Sequence, residues 1–200
     1  MMNTGRPPQQ FRAFISLPVP EEVKVEIRRL QNELRTHLPD DAVRWTRPEQ
    51  VHLTLKFLGN IPAKRVDELT AALREVCDGF APIALRAEGV GFFPLRGIPR
   101  VLWVSVQDER EELSHLQQKI ETVANRIIVA REEERFKGHL TIGRAKNLRS
   151  SQARKLMDLA KDFEGKSFGD GRAESVELMR SELGSDGSRY LCLAAIPLKG

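Results

Sequence analysis

The stretch Val51-His52-Leu53-Thr54-Leu55-Lys56-Phe57-Leu58-Gly59 returns in shortened form as Gly138-His139-Leu140-Thr141-Ile142-Gly143-Arg144. In an extended strand, side chains two apart share a face. His52 and Thr54 therefore project together while Leu53 and Leu55 turn to the other side, and His139 with Thr141 repeats the arrangement over Leu140 and Ile142. Each strand offers an imidazole beside a hydroxyl, backed by an apolar underside that anchors it in a core. One such pair is what any half-buried strand with a β-forming threonine would show. Two pairs, in a chain of 200 residues with only seven Thr and four His, are roughly a one-in-a-hundred coincidence. The copies also stand where a duplicated half-domain would put them.

The rest of the chain extends outward from these two strands. Phe11, Ala13, Ile15 and Leu17 alternate as a strand does, and Pro18 and Pro20 end it. Pro20, Glu21 and Glu22 suit the first turn of a helix whose apolar stripe is Val23, Ile27, Leu30 and Leu34. A short strand at Val43 to Trp45 precedes the first motif. Asn60 is placed to cap the next helix, with Pro62 just inside it and Val66, Leu69, Leu73 and Val76 inward. Ile83 to Gly89 and Arg100 to Val106 read as strands joined by the breaker-rich loop Gly91 to Gly97, whose Phe92 and Phe93 are read as core. Asp108 and Glu111 form a capping-box sequence ahead of Leu113, Leu116, Ile120, Val123 and Ile127. The run Arg131 to Arg135 reads as charged loop or helix end. After the second motif, Ser150 or Ser151 opens a helix carrying Leu156, Leu159 and Phe163 inward. Two strands near Ser167 to Leu178 and Arg189 to Pro197, turning at Gly184 to Ser188, close the chain. His37 and His115 lie off the apolar stripes and read as surface residues.

This mixed order lacks the regular alternation of a doubly wound sheet and predicts an α+β fold. Two mainly antiparallel sheets are expected, with helices outside and the motif strands facing each other across a central cleft. Residues 11–200 read as a single bilobal domain, and 1–10 as a flexible tail without the apolar core of a signal peptide. No apolar run approaches a membrane span, so a cytoplasmic protein that does not enter the membrane is expected. Lys plus Arg at 32 against Asp plus Glu at 28 gives a net charge of +4, mildly favourable to polyanions without deciding for them. Cys77 and Cys192 lack C-x-x-C spacing and fall in apolar patterns, so both are expected as buried thiols.

The paired motifs resemble those of the two-histidine phosphoesterase superfamily, and their flanks are similar to the RNA 2',3'-cyclic phosphodiesterases, also called 2'-5' RNA ligases. Val43-Arg44-Trp45, Arg47-Pro48-Glu49 and His52 to Gly59 carry the first part of the likeness, and Phe136 to Arg144 the second. Ser181-Glu182-Leu183 with Gly187, Arg189 and Tyr190 carries the third, a C-terminal hairpin. Gly138 departs from the pattern, since the family often has Pro there, and it implies a less rigid entry to the second strand. The resemblance implies pseudo-twofold related lobes, His52 as proton donor, His139 as proton acceptor, and Thr54 and Thr141 as phosphate-binding residues. It implies that water opens the cyclic phosphate to a 2'-phosphomonoester, and that a 5'-hydroxyl in place of water makes a 2'-5' linkage.

Opening a cyclic phosphodiester in line needs a base for the entering water and an acid for the departing sugar oxygen. Histidine suits both at neutral pH, and threonine hydroxyls can donate to the non-bridging oxygens. Arg144, Lys56, which shares the His52 face by strand spacing, and Arg44 are candidates for substrate contact, while Trp45 reads as core. Neither motif has the H-x-H, H-x-x-E or Cys spacing of a metal site, so no metal and no cofactor are expected. The expected partner is RNA with 2',3'-cyclic phosphate ends, or a small cyclic nucleotide, met by a monomer. A non-catalytic RNA or nucleotide binding module is the alternative, but it would have no use for two poised imidazoles.

Overall fold

The computed structural model describes residues 9–95, 97–128, 136–146, 148–184 and 187–200. Most of the expected tail, the charged run 131–135 and the tip of the C-terminal turn lie outside the described residues. In chain order the elements are β1 (Gln10–Pro18), α1 (Glu21–Arg35), β2 (Val43–Trp45), β3 (His52–Pro62), α2 (Val66–Cys77), β4 (Ile83–Phe93) and β5 (Val101–Gln107). There follow α3 (Glu112–Ile127), β6 (His139–Ala145), α4 (Ser150–Lys161), β7 (Ser167–Ala173), β8 (Ser175–Gly184) and β9 (Gly187–Pro197).

The sheet runs β7-β4-β5-β6-β3-β1-β8-β9, with β2 paired to β6, and curls into a half-barrel. All its pairings are antiparallel. The two expected sheets are its two halves, and they are fused edge to edge through the pairing of Leu53 with Leu140. From that seam outward the halves match strand for strand: β6 with β3, β5 with β1, β4 with β8, β7 with β9. Along the chain, β1-α1-β3-α2 is matched by β5-α3-β6-α4. The motif strands are thus neighbours at a pseudo-twofold axis, which brings residues 87 positions apart in sequence side by side.

Two of the helices, α1 and α3, cross to the opposite half, and α2 and α4 stay with their own. Helix α1 packs on β7 and α3 on β3, while α2 packs on β8 and β9 and α4 on β4. Their stripes bury Val23, Ile27, Leu30 and Leu34 on α1, Leu69 and Leu73 on α2, Leu113, Leu116 and Ile120 on α3, and Leu156 on α4. Against them lie Ile15, Leu17, Leu53, Leu55, Val104, Leu140 and Ile142, none more than 1 % exposed. Each such side chain contributes about 1.5–3 kcal/mol by leaving water, so the motif strands are held by the faces opposite their histidines.

Four expectations change. The apparent strand Ser167 to Leu178 is two strands in different halves, β7 at one edge and β8 beside β1; no Gly or Pro marks the break at Glu174, because it is made by the chain crossing between halves. Asn60 and Pro62 remain in β3, paired with Arg12 and Gln10, so α2 starts only at Val66. Asp108 does cap α3, accepting from the Leu113 N–H at 3.0 Å, but Glu111 sits in the left-handed region at φ 57° and completes no box. Cys77 is buried, and burial with Asp78 pushes its thiol up to about 11. Cys192 is exposed, contrary to expectation. Among the described residues no helix is long and apolar enough to cross a membrane.

Candidate active site

Both motif strands break register at the same place. On β3, Ser16 pairs with Thr54 and Ile15 with Lys56, so Leu55 is an extra residue; on β6, Trp103 pairs with Thr141 and Leu102 with Gly143, so Ile142 is extra. Such a bulge reverses the alternation beyond it and leaves backbone groups without ladder partners. In each half a buried glutamine from a crossing helix donates to the carbonyl of the extra residue; the Ile142 carbonyl also accepts from the Thr46 N–H at 3.0 Å. Gln31 of α1, 1 % exposed, donates through Nε2 to the carbonyls of Ile142 and Thr46, both at 2.8 Å. Gln117 of α3 donates to the carbonyl of Leu55 at 3.4 Å. Sequence reading missed both, although a polar residue inside each apolar stripe was the available signal.

The reversal corrects one candidate and places another. Lys56 turns to the helix-covered side, where it is fully buried and ion-paired with Glu121 of α3, so it is not a substrate contact. Its place on the open face is taken by Phe57, 51 % exposed and 6.3 Å from Phe14. In the other half Gly143 turns inward, where a β-carbon would come within 2.8 Å of Val43 Cγ1, and Trp45 packs beside it under Arg35. Arg144 then faces the open side. Directly opposite it across the β2–β6 pairing stands Arg44, also exposed, and directly opposed residues share a face.

The two imidazoles are held in the same way. Nδ1 of His52 donates to the carbonyl of Gln50 at 2.7 Å, and Nδ1 of His139 donates to the carbonyl of Lys137 at 2.7 Å. A carbonyl can only accept, so each Nδ1 carries its proton and each Nε2 is left for proton exchange. Phe14 stacks on His52 at 4.8 Å and Tyr190 meets it edge-on at 5.2 Å; Phe93 and Trp103 meet His139 at 5.2 and 6.2 Å. Of the Phe pair read as core, Phe92 packs on the core and Phe93 lines the site. Trp103 needs Gly91 beneath it, where a β-carbon would lie 2.2 Å from the indole. Burial lowers the His52 pKa, the Gln50 hydrogen bond opposes this, and the charges of His139 and Arg144 lower it further. Those last two effects tie both motifs and Arg144 to one site.

Thr54 and Thr141 lie on the histidine faces, half-buried, each with a buried cross-strand neighbour atom that makes no protein hydrogen bond: Ser16 Oγ beside Thr54, and Trp103 Nε1 beside Thr141. Gly138 does not loosen the second strand. Its carbonyl accepts from the Val106 N–H at 2.9 Å, and a β-carbon there would lie 2.7 Å from the Val106 carbonyl oxygen. The gap that glycine provides is filled by β5. Among the described residues no three His, Cys, Asp or Glu side chains converge as metal ligands.

Residues 17–103 match the family described as LigT like phosphoesterase. The chain is 30% identical to an RNA 2',3'-cyclic phosphodiesterase of Archaeoglobus fulgidus over 90% of its own length and 96% of that protein's. It is likewise 30% identical to an RNA 2',3'-cyclic phosphodiesterase of Methanothermobacter thermautotrophicus, over 90% and 95%. Among solved structures, TT0787 of Thermus thermophilus superposes with a TM-score of 0.79 at 26% identity, over 94% of this chain and 98% of that one. The fold is also that of E. coli LigT complexed with 3'-AMP, with a TM-score of 0.75 at 20% identity over 96% and 99%.

Proposed function

The chain belongs to the LigT-like phosphoesterases of the two-histidine superfamily, and on that premise we propose that it hydrolyses 2',3'-cyclic phosphate ends of RNA to 2'-phosphomonoesters. The observation that carries this reading is the matched pair of histidines, each fixed through Nδ1 by the carbonyl two residues before it and each free at Nε2. His139 takes a proton from water as its oxygen attacks phosphorus; the bond to the 3' oxygen breaks, and His52 gives that oxygen its proton. Thr54 and Thr141 donate to the non-bridging oxygens, where charge is held in the transition state. Arg144 and Arg44 face the same side and attract the phosphate.

The lowered pKa of His52 has a consequence for this division of roles. In the free protein near pH 7 His52 is mainly neutral, and an acid must be protonated. A bound phosphodiester anion offsets the charges of His139 and Arg144 and raises the His52 pKa, so the acid is charged by the arrival of its substrate. With a 5'-hydroxyl attacking in place of water, the same step forms a 2'-5' linkage: His139 takes the hydroxyl proton and His52 protonates the departing 3' oxygen. Every role is filled by a side chain, so the reaction proceeds without metal, in a monomer. The test is a short RNA ending in a 2',3'-cyclic phosphate, incubated with excess EDTA and followed by phosphorus NMR. A 2'-monoester is expected. Loss of activity on chelation, restored by one divalent ion, would sink the mechanism, and a 3'-monoester would mean that the other P–O bond breaks.

A further inference from the structure

A cavity of about 510 Å³ opens where β5 begins and β6 ends, lined by Pro94, Ile98, Pro99, Arg100, Ala145, Lys146 and Leu148. Two of its residues follow site residues directly in the chain. Pro94 follows Phe93, whose ring meets His139, and Ala145 follows Arg144. One residue of strand advances the chain by about 3.3 Å, so the cavity begins about one residue beyond the Arg44–Arg144 pair. The lining is of two kinds. Pro94, Ile98, Pro99 and Leu148 give an apolar floor, with Ile98 left 49 % exposed. Arg100 and Lys146 are both exposed cations, and among the described residues no carboxylate lines the cavity. An apolar surface rimmed by positive charge alone is complementary to a nucleobase and its backbone phosphate.

We infer that this cavity holds the penultimate nucleotide of an RNA strand whose cyclic phosphate lies between His52 and His139. Its base rests on Pro94, Ile98 and Leu148, and the phosphate joining the last two nucleotides meets Arg100 and Lys146. This rests on the reading of the site as an RNA phosphodiesterase and adds a choice of substrate, since a strand occupies the histidine site and the cavity at once.

The experiment compares adenosine 2'-phosphate with the dinucleotide ApA carrying a terminal 2'-phosphate, by calorimetry, and the corresponding cyclic phosphates by turnover. The wild-type protein should bind the dinucleotide about tenfold more tightly. Arg100→Ala with Lys146→Ala should abolish that margin while leaving the mononucleotide's affinity and turnover unchanged. The salt dependence of dinucleotide binding should become shallower by roughly 0.7 in the logarithmic slope, because one phosphate is no longer neutralised by the protein. Ile98→Glu should remove the margin in a second way, by repelling the strand. Equal affinities in the wild type, or variants that weaken both ligands alike, would overturn the inference. If the cyclic mononucleotide and dinucleotide both resist hydrolysis while the dinucleotide product keeps its binding margin, the phosphodiesterase reading fails and the nucleotide subsite stands.

Discussion

His52 is stacked on Phe14 and met edge-on by Tyr190, and the first open-face position beyond the bulge of its strand belongs to Phe57; His139 is met by Phe93 and Trp103, and the equivalent position belongs to Arg144. Beneath the open face the contrast is reversed, with a buried Lys56–Glu121 pair in the first half and the small Gly143 under Val43 and Trp45 in the second. The backbone devices are nonetheless the same in both halves: a bulge after the threonine, a glutamine from the crossing helix, and an imidazole tied to a carbonyl two residues back. Repetition therefore sets the positions of the paired histidines and threonines, and the side chains around them set the difference between the halves. A symmetric site would accept a cyclic phosphate in two orientations. Both histidines have aromatic neighbours, but the pair of arginines lies in one half alone, and under the proposed function that difference is what would favour one orientation and so one histidine as the acid.

The largest expected effect breaks the symmetry directly. His52→Ala and His139→Ala should each lower kcat about 10²- to 10⁴-fold. A substrate with sulfur in place of the departing 3' oxygen leaves as a thiolate that needs little protonation, so it should rescue His52→Ala and fail to rescue His139→Ala. Rescue of the His139 variant alone would reverse the roles. Next in size, Thr54→Val and Thr141→Val should each lower kcat roughly 10²-fold with little change in stability. Wild-type turnover in both would reduce these residues to strand formers.

How far the sequence carried this comparison can be read from the two bulges. Period-two alternation placed His52, Thr54, His139 and Thr141 on common faces, because those residues precede the bulge. The same alternation misplaced Lys56, because the extra residue lies between it and the motif, and no Gly or Pro announces it. Helix stripes were legible from apolar spacing. The crossing of α1 and α3 to the opposite halves was not, since it depends on where strands from distant parts of the chain pair. That crossing is also why Gln31 and Gln117 could not be connected to the motifs they support.

The correction at Lys56 can be tested by asking what its loss costs. Lys56→Met removes one partner of a pair whose other member, Glu121, retains 23% side-chain exposure. Solvent therefore takes up part of the uncompensated charge, and the loss should be about 1–3 kcal/mol of unfolding free energy, below the range for a fully buried pair. KM should stay unchanged; a raised KM with normal stability would return Lys56 to the substrate. Smaller effects should separate the two glutamines. Gln31→Leu removes two hydrogen bonds of 2.8 Å, to the carbonyls of Thr46 and of Ile142, the latter keeping the Thr46 N–H at 3.0 Å, whereas Gln117→Leu removes two longer ones, to the Leu55 carbonyl and to Glu121, both at 3.4 Å. Urea unfolding should place Gln31→Leu about 1–3 kcal/mol below the wild type and Gln117→Leu nearer to it. The opposite order would mean that the bulges are not what the glutamines support.

The smallest effect concerns the proton itself. His52 is held below its ordinary value first by burial, then by His139 and, less strongly, by Arg144, against the Gln50 hydrogen bond. Removing a positive neighbour must therefore raise it, and the order of the causes fixes the order of the shifts: His139→Ala should raise the His52 pKa more than Arg144→Gln, and neither should bring it fully to 6.5, because burial remains. Proton NMR of the imidazole, titrated in the absence of substrate, reads this directly. The sign also governs stability. Because the folded pKa lies below the unfolded value near 6.5, the unfolded chain binds more protons between the two, so stability from this group is complete above the unfolded value and is lost as pH falls through the folded one. Arg144→Gln should narrow that window from its acid side. A His52 titration indifferent to Arg144 would place the arginine too far away to act on the phosphate beside it, and the asymmetry between the halves would then have to be carried by the aromatic residues alone.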